Sequence, residues 1–215
     1  MRHSNEDSIT GDVYPQAGII SGHQRLINKS RKSFPEIDDV IRFELDKKAN
    51  LTRTLSCNLE QFSGWLMDKE IASIFNQFSC IDLNSYESKV KIKTNEVDYL
   101  WMHLMPTVKG KSILEYISFK QSEFQKCDFY GEPISSVVAN SIDEADKMHK
   151  SLLEDDEKLR FEKIILKKES PELDFFAVLK YNYYFFVSDR LKSKLEELDN
   201  LGVEFVKVKN VYKES

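Results

Sequence analysis

Glycine and proline are scarce in this 215-residue chain, at seven and five residues. That scarcity excludes collagen-like, linker-like and low-complexity architectures. Cysteine is scarcer still. Cys57, Cys80 and Cys127 are odd in number, far apart and form no C-x-x-C pair. They are expected to be reduced thiols packed as small hydrophobes rather than a disulfide framework. Long apolar runs are missing as well. The longest, Phe175 to Leu179 and Tyr183 to Val187, are five residues each, against the roughly 20 that a membrane-spanning helix needs. No apolar segment follows the polar stretch Met1–Ser8, so a chain without a secretory signal, resident in the cytoplasm, is the expectation.

Catalytic patterns are also lacking. His3, His23, His103 and His149 are too scattered for paired metal ligation, and no phosphate-cradling glycine loop or G-x-S-x-G elbow occurs. His103, beside Trp101 and Tyr99 in an aromatic segment, reads as a structural histidine. Asp68 and Asp189 stand where helix caps are expected, and are not read as an acid–base pair. The sequence therefore predicts no catalytic residue, no metal site and no cofactor, and a protein that is not an enzyme.

Neither sign of charge dominates. Lys and Arg number 31 against 36 Asp and Glu, a formal net charge of −5, so nucleic acid is not an expected partner. The distribution says more than the total. Asp143, Glu144, Asp146, Glu154, Asp155, Asp156 and Glu157 face only Lys147 and Lys150 within one short window, which alone accounts for the entire net charge. Such a run is ordinarily a solvated face. Its sharper reading is a docking surface for a basic partner, where carboxylates steer association. Trp101 joins that surface as an anchor if it reaches solvent, although tryptophans are more often core.

What the chain does contain is ample core-forming material: 41% hydrophobic residues, 14 Phe and 9 Tyr. At this length roughly 70% of the unfolded surface can be buried. Residues 1–33, with Gly11, Pro15, Gly18, Gly22 and the basic cluster Lys29, Arg31 and Lys32, read as a loosely ordered arm. Residues 34–215 read as a single domain. Val40–Leu45 fits either a helix or a strand. Trp65–Met67 predicts a short strand, Asp68 a cap, and Ile71, Ile74, Phe75 and Phe78 the stripe of a helix lying on a sheet. Val97–Met105 predicts a strand, Lys109–Lys111 a turn, and Ile113–Phe119 a strand pairing back. Ile142–Leu159 reads as helix, and Phe161–Lys168 and Phe175–Lys180 as strands. Near the end, Tyr183–Val187, a Ser188 or Asp189 cap, the face Leu191, Leu195 and Leu198, a Gly202 stop and alternating Val203–Val208 repeat the earlier order, which suggests an internal strand–helix–strand duplication. Strands outnumber helices and the hairpin signals are local, so the predicted class is α+β with mostly antiparallel sheet.

The stretch "YYFFVSDRLKSKLEELDNLGVEFVKV" resembles the C-terminal signature of bacterial immunity proteins from polymorphic-toxin systems, through Val187, Ser188, Asp189, Leu191, Lys192, Leu195, Leu198, Gly202, Val203, Glu204 and Phe205. "YLWMHLMPTVKGKSILEYISFKQSEF" is similar to the central strand pair of that family, and "LMDKEIASIFNQF" to its first helix. The resemblance covers residues 60 to 210. It departs in the N-terminal 30 residues and the acidic window. It implies a single α+β domain that binds and occludes a cognate toxin, whose chemistry it does not name. The competing readings are a self-associating scaffold and an enzyme that reverses a toxin's modification.

Overall fold

The N-terminal segment is where the fold first departs from the sequence reading. In the computed structural model, residues 1–20, 33–57, 64–181 and 184–214 are described; Gly22, Lys29, Arg31, Lys32, Asn182 and Tyr183 lie outside them. Arg2–His3 (β1), Asp7–Thr10 (α1) and Ala17–Ile19 (β2) are built into the fold, and Gln16 and Ala17 are fully buried. Residues 1–20 thus carry three short elements, and β2 supplies an outer strand of the main sheet. The chain divides into two compact units, one of Met1–Met105, Leu173–Phe175 and Phe186–Val206, the other of Pro106–Glu172, Phe176–Phe185 and Lys207–Ser215. The class is α+β, as predicted.

The first unit is built on a six-stranded sheet. Its further strands are β3 (Ile41–Leu45), β4 (Thr54–Leu55), β5 (Gly64–Met67), β6 (Leu83–Ile92) and β7 (Asn95–Leu104), in the order β2-β3-β6-β7-β5-β4. Val40–Leu45 resolves as strand, with Ile41 and Phe43 buried and Arg42 and Glu44 exposed. The sheet curls until its first strand meets the chain just beyond its last. Ala17 bridges Cys57, and the Ala17 N–H donates to the Ser56 carbonyl at 3.0 Å. Alternate residues then point into one closed interior: Ile41, Phe43, Leu55, Leu66, Tyr86, Val90, Tyr99 and Trp101. Large side chains fill it, as a small closed sheet demands. The aromatic rings each remove on the order of 150–250 Å² from water.

The closure is held by one amide. Gln16 Nε2 donates to the carbonyls of Thr10 (3.2 Å) and Asn50 (3.0 Å), while its Oε1 accepts from the Ser56 N–H at 3.1 Å. A buried amide with every group engaged specifies one arrangement of the strands around it.

Helix α2 (Lys69–Phe75) packs on β7, and α4 (Asp189–Leu195) packs on α2. Asp68 caps α2 by accepting from the Ile71 N–H at 2.8 Å, and Ser188 caps α4 by accepting from the Leu191 N–H at 3.1 Å. The sequence predicts the Asp68 cap outright and leaves the second between Ser188 and Asp189, of which the structure uses Ser188; both helices are seven residues long after a short strand. Asp174, nearly buried, receives Ser79 N–H (3.0 Å), Ser188 Oγ (2.7 Å), and Arg190 Nε (3.1 Å) and Nη2 (2.6 Å). The Arg190 guanidinium and these donors outweigh burial and hold its carboxyl below the usual carboxylate range. The strand expected over Val203–Val208 is only Val203–Glu204 (β15), paired with β1.

The second unit carries β8 (Thr107–Val108) and β9 (Lys111–Ser112), joined by a turn at Lys109 and Gly110 with φ of +52° and +79°. Ile113–Tyr116, expected as a strand, is one 3-10 turn. Ser112 and Glu115 form a reciprocal capping box there, and this local chemistry overrides the β-branched run. Its main sheet runs β11 (Pro133–Val137), β10 (Glu123–Cys127), β12 (Lys158–Leu166) and β16 (Val211–Lys213), antiparallel except for β12 with β16. Helix α3 (Ile142–Glu154) packs on β12. The core is an aromatic cluster of Phe119, Phe124, Phe161 and Tyr181, with ring centroids 4.4 to 6.5 Å apart. Phe175–Val178 (β13) and Tyr184–Val187 (β14) pair with each other.

Candidate interaction surface

Trp101 does not belong to any surface. It is fully buried in the first unit, its indole stacked on His103 at 5.0 Å and tilted against Tyr86 at 5.4 Å. Its alternation with Tyr99 in β7 aims it into the closed sheet, which withdraws it as a partner anchor. His103 is buried beside it. Burial pushes its pKa down to about 4, because a charged imidazole there loses its hydration without gaining a partner.

The acidic window lies in the second unit, on α3 and the turn that follows it. Its seven carboxylates divide into two groups. Three are committed to the fold. Glu144 Oε2 accepts the Asn140 N–H at 2.8 Å and its side-chain amide at 3.1 Å, and these two bonds, the backbone one first, lower its pKa. Asp146 faces the aromatic core, where it accepts the Tyr181 hydroxyl and meets Lys180 Nζ at 2.5 Å. Burial works against its charge, but Lys180 and Tyr181 prevail and its pKa falls. The same contact, added to burial, raises the Tyr181 phenol. His149, one turn along α3, meets the Tyr181 ring edge-on at 5.5 Å; burial and Lys180 lower its pKa against the pull of Asp146. This cluster pins α3 to the sheet. Glu157 pairs with Lys126 Nζ at 2.6 Å.

The other four, Asp143, Glu154, Asp155 and Asp156, are exposed and make no ion pair within 4.0 Å among the described residues. Asp143 sits in the first turn of α3, where a carboxylate complements the helix dipole. Glu154, Asp155 and Asp156 sit at the opposite end, where α3 has no basic residue in its last turn. There the carbonyl end of the dipole opposes them, and Asp156 holds φ at +57°. Three mutually repelling carboxylates thus occupy a place that costs stability.

Sequence reasoning missed a neighbouring feature. The loop joining β10 to β11 exposes Phe129 and Tyr130, and β11 exposes Ile134. The available signal was the adjacent aromatic pair inside an Asp-x-x-Gly-Glu turn. Among the described residues no group of three or more His, Cys, Asp or Glu is placed to hold a metal ion, and no helix is long and apolar enough to cross a membrane. No family model, no curated protein and no solved structure matches this chain.

Proposed function

We propose that this chain is an immunity protein that binds a cognate bacterial toxin and neutralises it by occlusion, docking a basic toxin surface on the end of α3. The resemblance over residues 60–210 supplies the class of function. The observation that carries the docking surface is the Glu154–Asp155–Asp156 cluster. It is solvent-facing, unpaired and set against the helix dipole, an arrangement that folding alone does not favour. A basic partner removes both the mutual repulsion and the dipole conflict. Complementary charge of this kind raises encounter rates toward about 10⁸ M⁻¹s⁻¹ at low salt. Asp143 and Glu144, at the other end of α3, widen the negative field without opposing the dipole. Asp146 and Glu157 act through the fold, by fixing α3 and the turn. The test is stopped-flow association with the toxin encoded beside this chain. Replacing Glu154, Asp155 and Asp156 by Gln, Asn and Asn is expected to slow association and flatten its salt dependence. An unchanged on-rate sinks the surface assignment.

A further inference from the structure

The turn Asp128–Glu132 between β10 and β11 is braced far beyond the needs of a surface loop. The Asp128 N–H donates to the Glu132 carbonyl at 2.9 Å, and the Gly131 N–H to the Asp128 carbonyl at 3.0 Å. The Glu132 N–H donates to Asp128 Oδ1 at 2.8 Å. Two cations from β12 grip the same five residues. Lys158 Nζ donates to the Phe129 carbonyl at 2.7 Å and lies 4.6 Å from its ring centroid, and Arg160 Nη1 donates to the Gly131 carbonyl at 2.9 Å. What this rigid frame presents to water is two aromatic rings in edge-to-face contact at 5.6 Å, Phe129 at 60% exposure and Tyr130 at 88%. A fixed frame around rings left in solvent is the reverse of what folding rewards. It is the form of an interface anchor, since aromatic contacts carry binding energy and a pre-ordered loop loses little entropy on docking.

The anchor adjoins the uncompensated carboxylates. Cys127, which ends β10, pairs with Lys158, and Lys126 reaches back to Glu157 in the turn after α3. Asp155 and Asp156 are therefore next to the frame that holds Phe129. We infer that the β10–β11 turn is the affinity-determining anchor of the docking surface: Phe129 and Tyr130 enter an apolar recess on a basic protein, and the Glu154–Asp156 turn supplies the negative rim that selects it. The inference rests on the proposed function and adds a division of labour, in which the rings set the lifetime of the complex and the carboxylates set its rate of formation. The occupant is a basic polypeptide surface. Charge complementarity with the adjacent turn argues for it, and a second copy of this chain would bring like-charged turns together.

The test is surface-plasmon kinetics against the immobilised toxin encoded beside this chain, with Tyr130→Ala, Phe129→Ser, and Tyr14→Ala as an exposed aromatic outside the patch. Tyr130 makes no hydrogen bond among the described residues, so its variant reports binding even where Phe129→Ser disturbs the turn. The expected result is dissociation at least about tenfold faster for Tyr130→Ala, with association within twofold of wild type and Tyr14→Ala unchanged. Wild-type dissociation kinetics in Tyr130→Ala overturn the anchor and leave the neutralising function standing. A wild-type chain that does not bind the toxin at all overturns the function and the anchor with it.

Discussion

The indole of Trp101 lies over the α-carbon of Gly64, so close that a Cβ there would come within 2.1 Å of Nε1 and 2.6 Å of Cε2. The two residues occupy neighbouring strands, β5 and β7, with Gly64 opposite His103 and Leu66 opposite Trp101. Glycine leaves the space that lets the largest ring of the interior lie flat across the sheet.

Gly64→Ala is therefore expected to destabilise the fold by about 3 kcal/mol, since the ring has no room to retreat in a filled interior. Gly18, in β2, has open space where its Cβ would stand, and Gly18→Ala is expected to stay within about 0.5 kcal/mol of wild type. Urea denaturation of the two variants checks this. Equal stabilities would mean that Trp101 is not packed against Gly64.

Gln16→Leu keeps the volume of the side chain and removes its amide. The Ser56 N–H then loses its 3.1 Å acceptor, the Asn50 carbonyl loses its donor, and the Thr10 carbonyl keeps only the Asn50 N–H at 3.0 Å. The expected cost is about 2–4 kcal/mol, for buried groups left unpaired. Hydrogen exchange is expected to show the Ala17–Cys57 closure opening first.

The contrast between these residues shows what the sequence makes legible. Periodicity and capping are local, and they placed β5, β7, α2, α4 and the Asp68 cap, and narrowed the second cap to Ser188 or Asp189. Trp101, by contrast, was weighed as a surface anchor because its burial depends on the sheet closing through β2. That closure joins residues about 40 positions apart, Ala17 to Cys57, through a glutamine that no periodic pattern marks. The Ile113–Tyr116 turn failed for the opposite reason, since a capping box overruled a β-prone run. In the acidic window composition was visible, but the separation of Glu144, Asp146 and Glu157 from the other carboxylates depends on Asn140, Tyr181, Lys180 and Lys126, all four of which lie outside the helix and its turn.

His103 makes stability depend on pH with a definite sign. Its folded pKa, about 4, lies below the ordinary histidine value of 6.5. Unfolding therefore takes up protons, and the stabilising contribution is complete above pH 6.5 and is lost as pH falls toward 4. The full loss is about 3 kcal/mol. His149 shifts in the same direction, so stability curves are to be measured for His103→Gln and His149→Gln separately. A steep wild-type fall between pH 6.5 and 4 that persists in His103→Gln would contradict the assignment.

The end of α3 gives a prediction in which stability and function move oppositely. Glu154→Lys and Asp155→Lys place favourable charge on the helix C-terminus, and each is expected to raise Tm by about 1–3 °C at low salt. Both are expected to slow association with the toxin by at least about tenfold. Calorimetry and stopped-flow mixing on the same samples check the pair. A gain in Tm with unaltered association would leave the cluster with no docking role.

The most direct measurement is a titration, with the purified protein, of the product of the neighbouring gene as the toxin that the proposed function requires, followed through that product's own activity. Occlusion predicts a stable complex and inhibition that saturates at one protein per toxin. Protection at amounts well below equimolar, or no complex at all, would contradict occlusion and with it the account of the α3 surface.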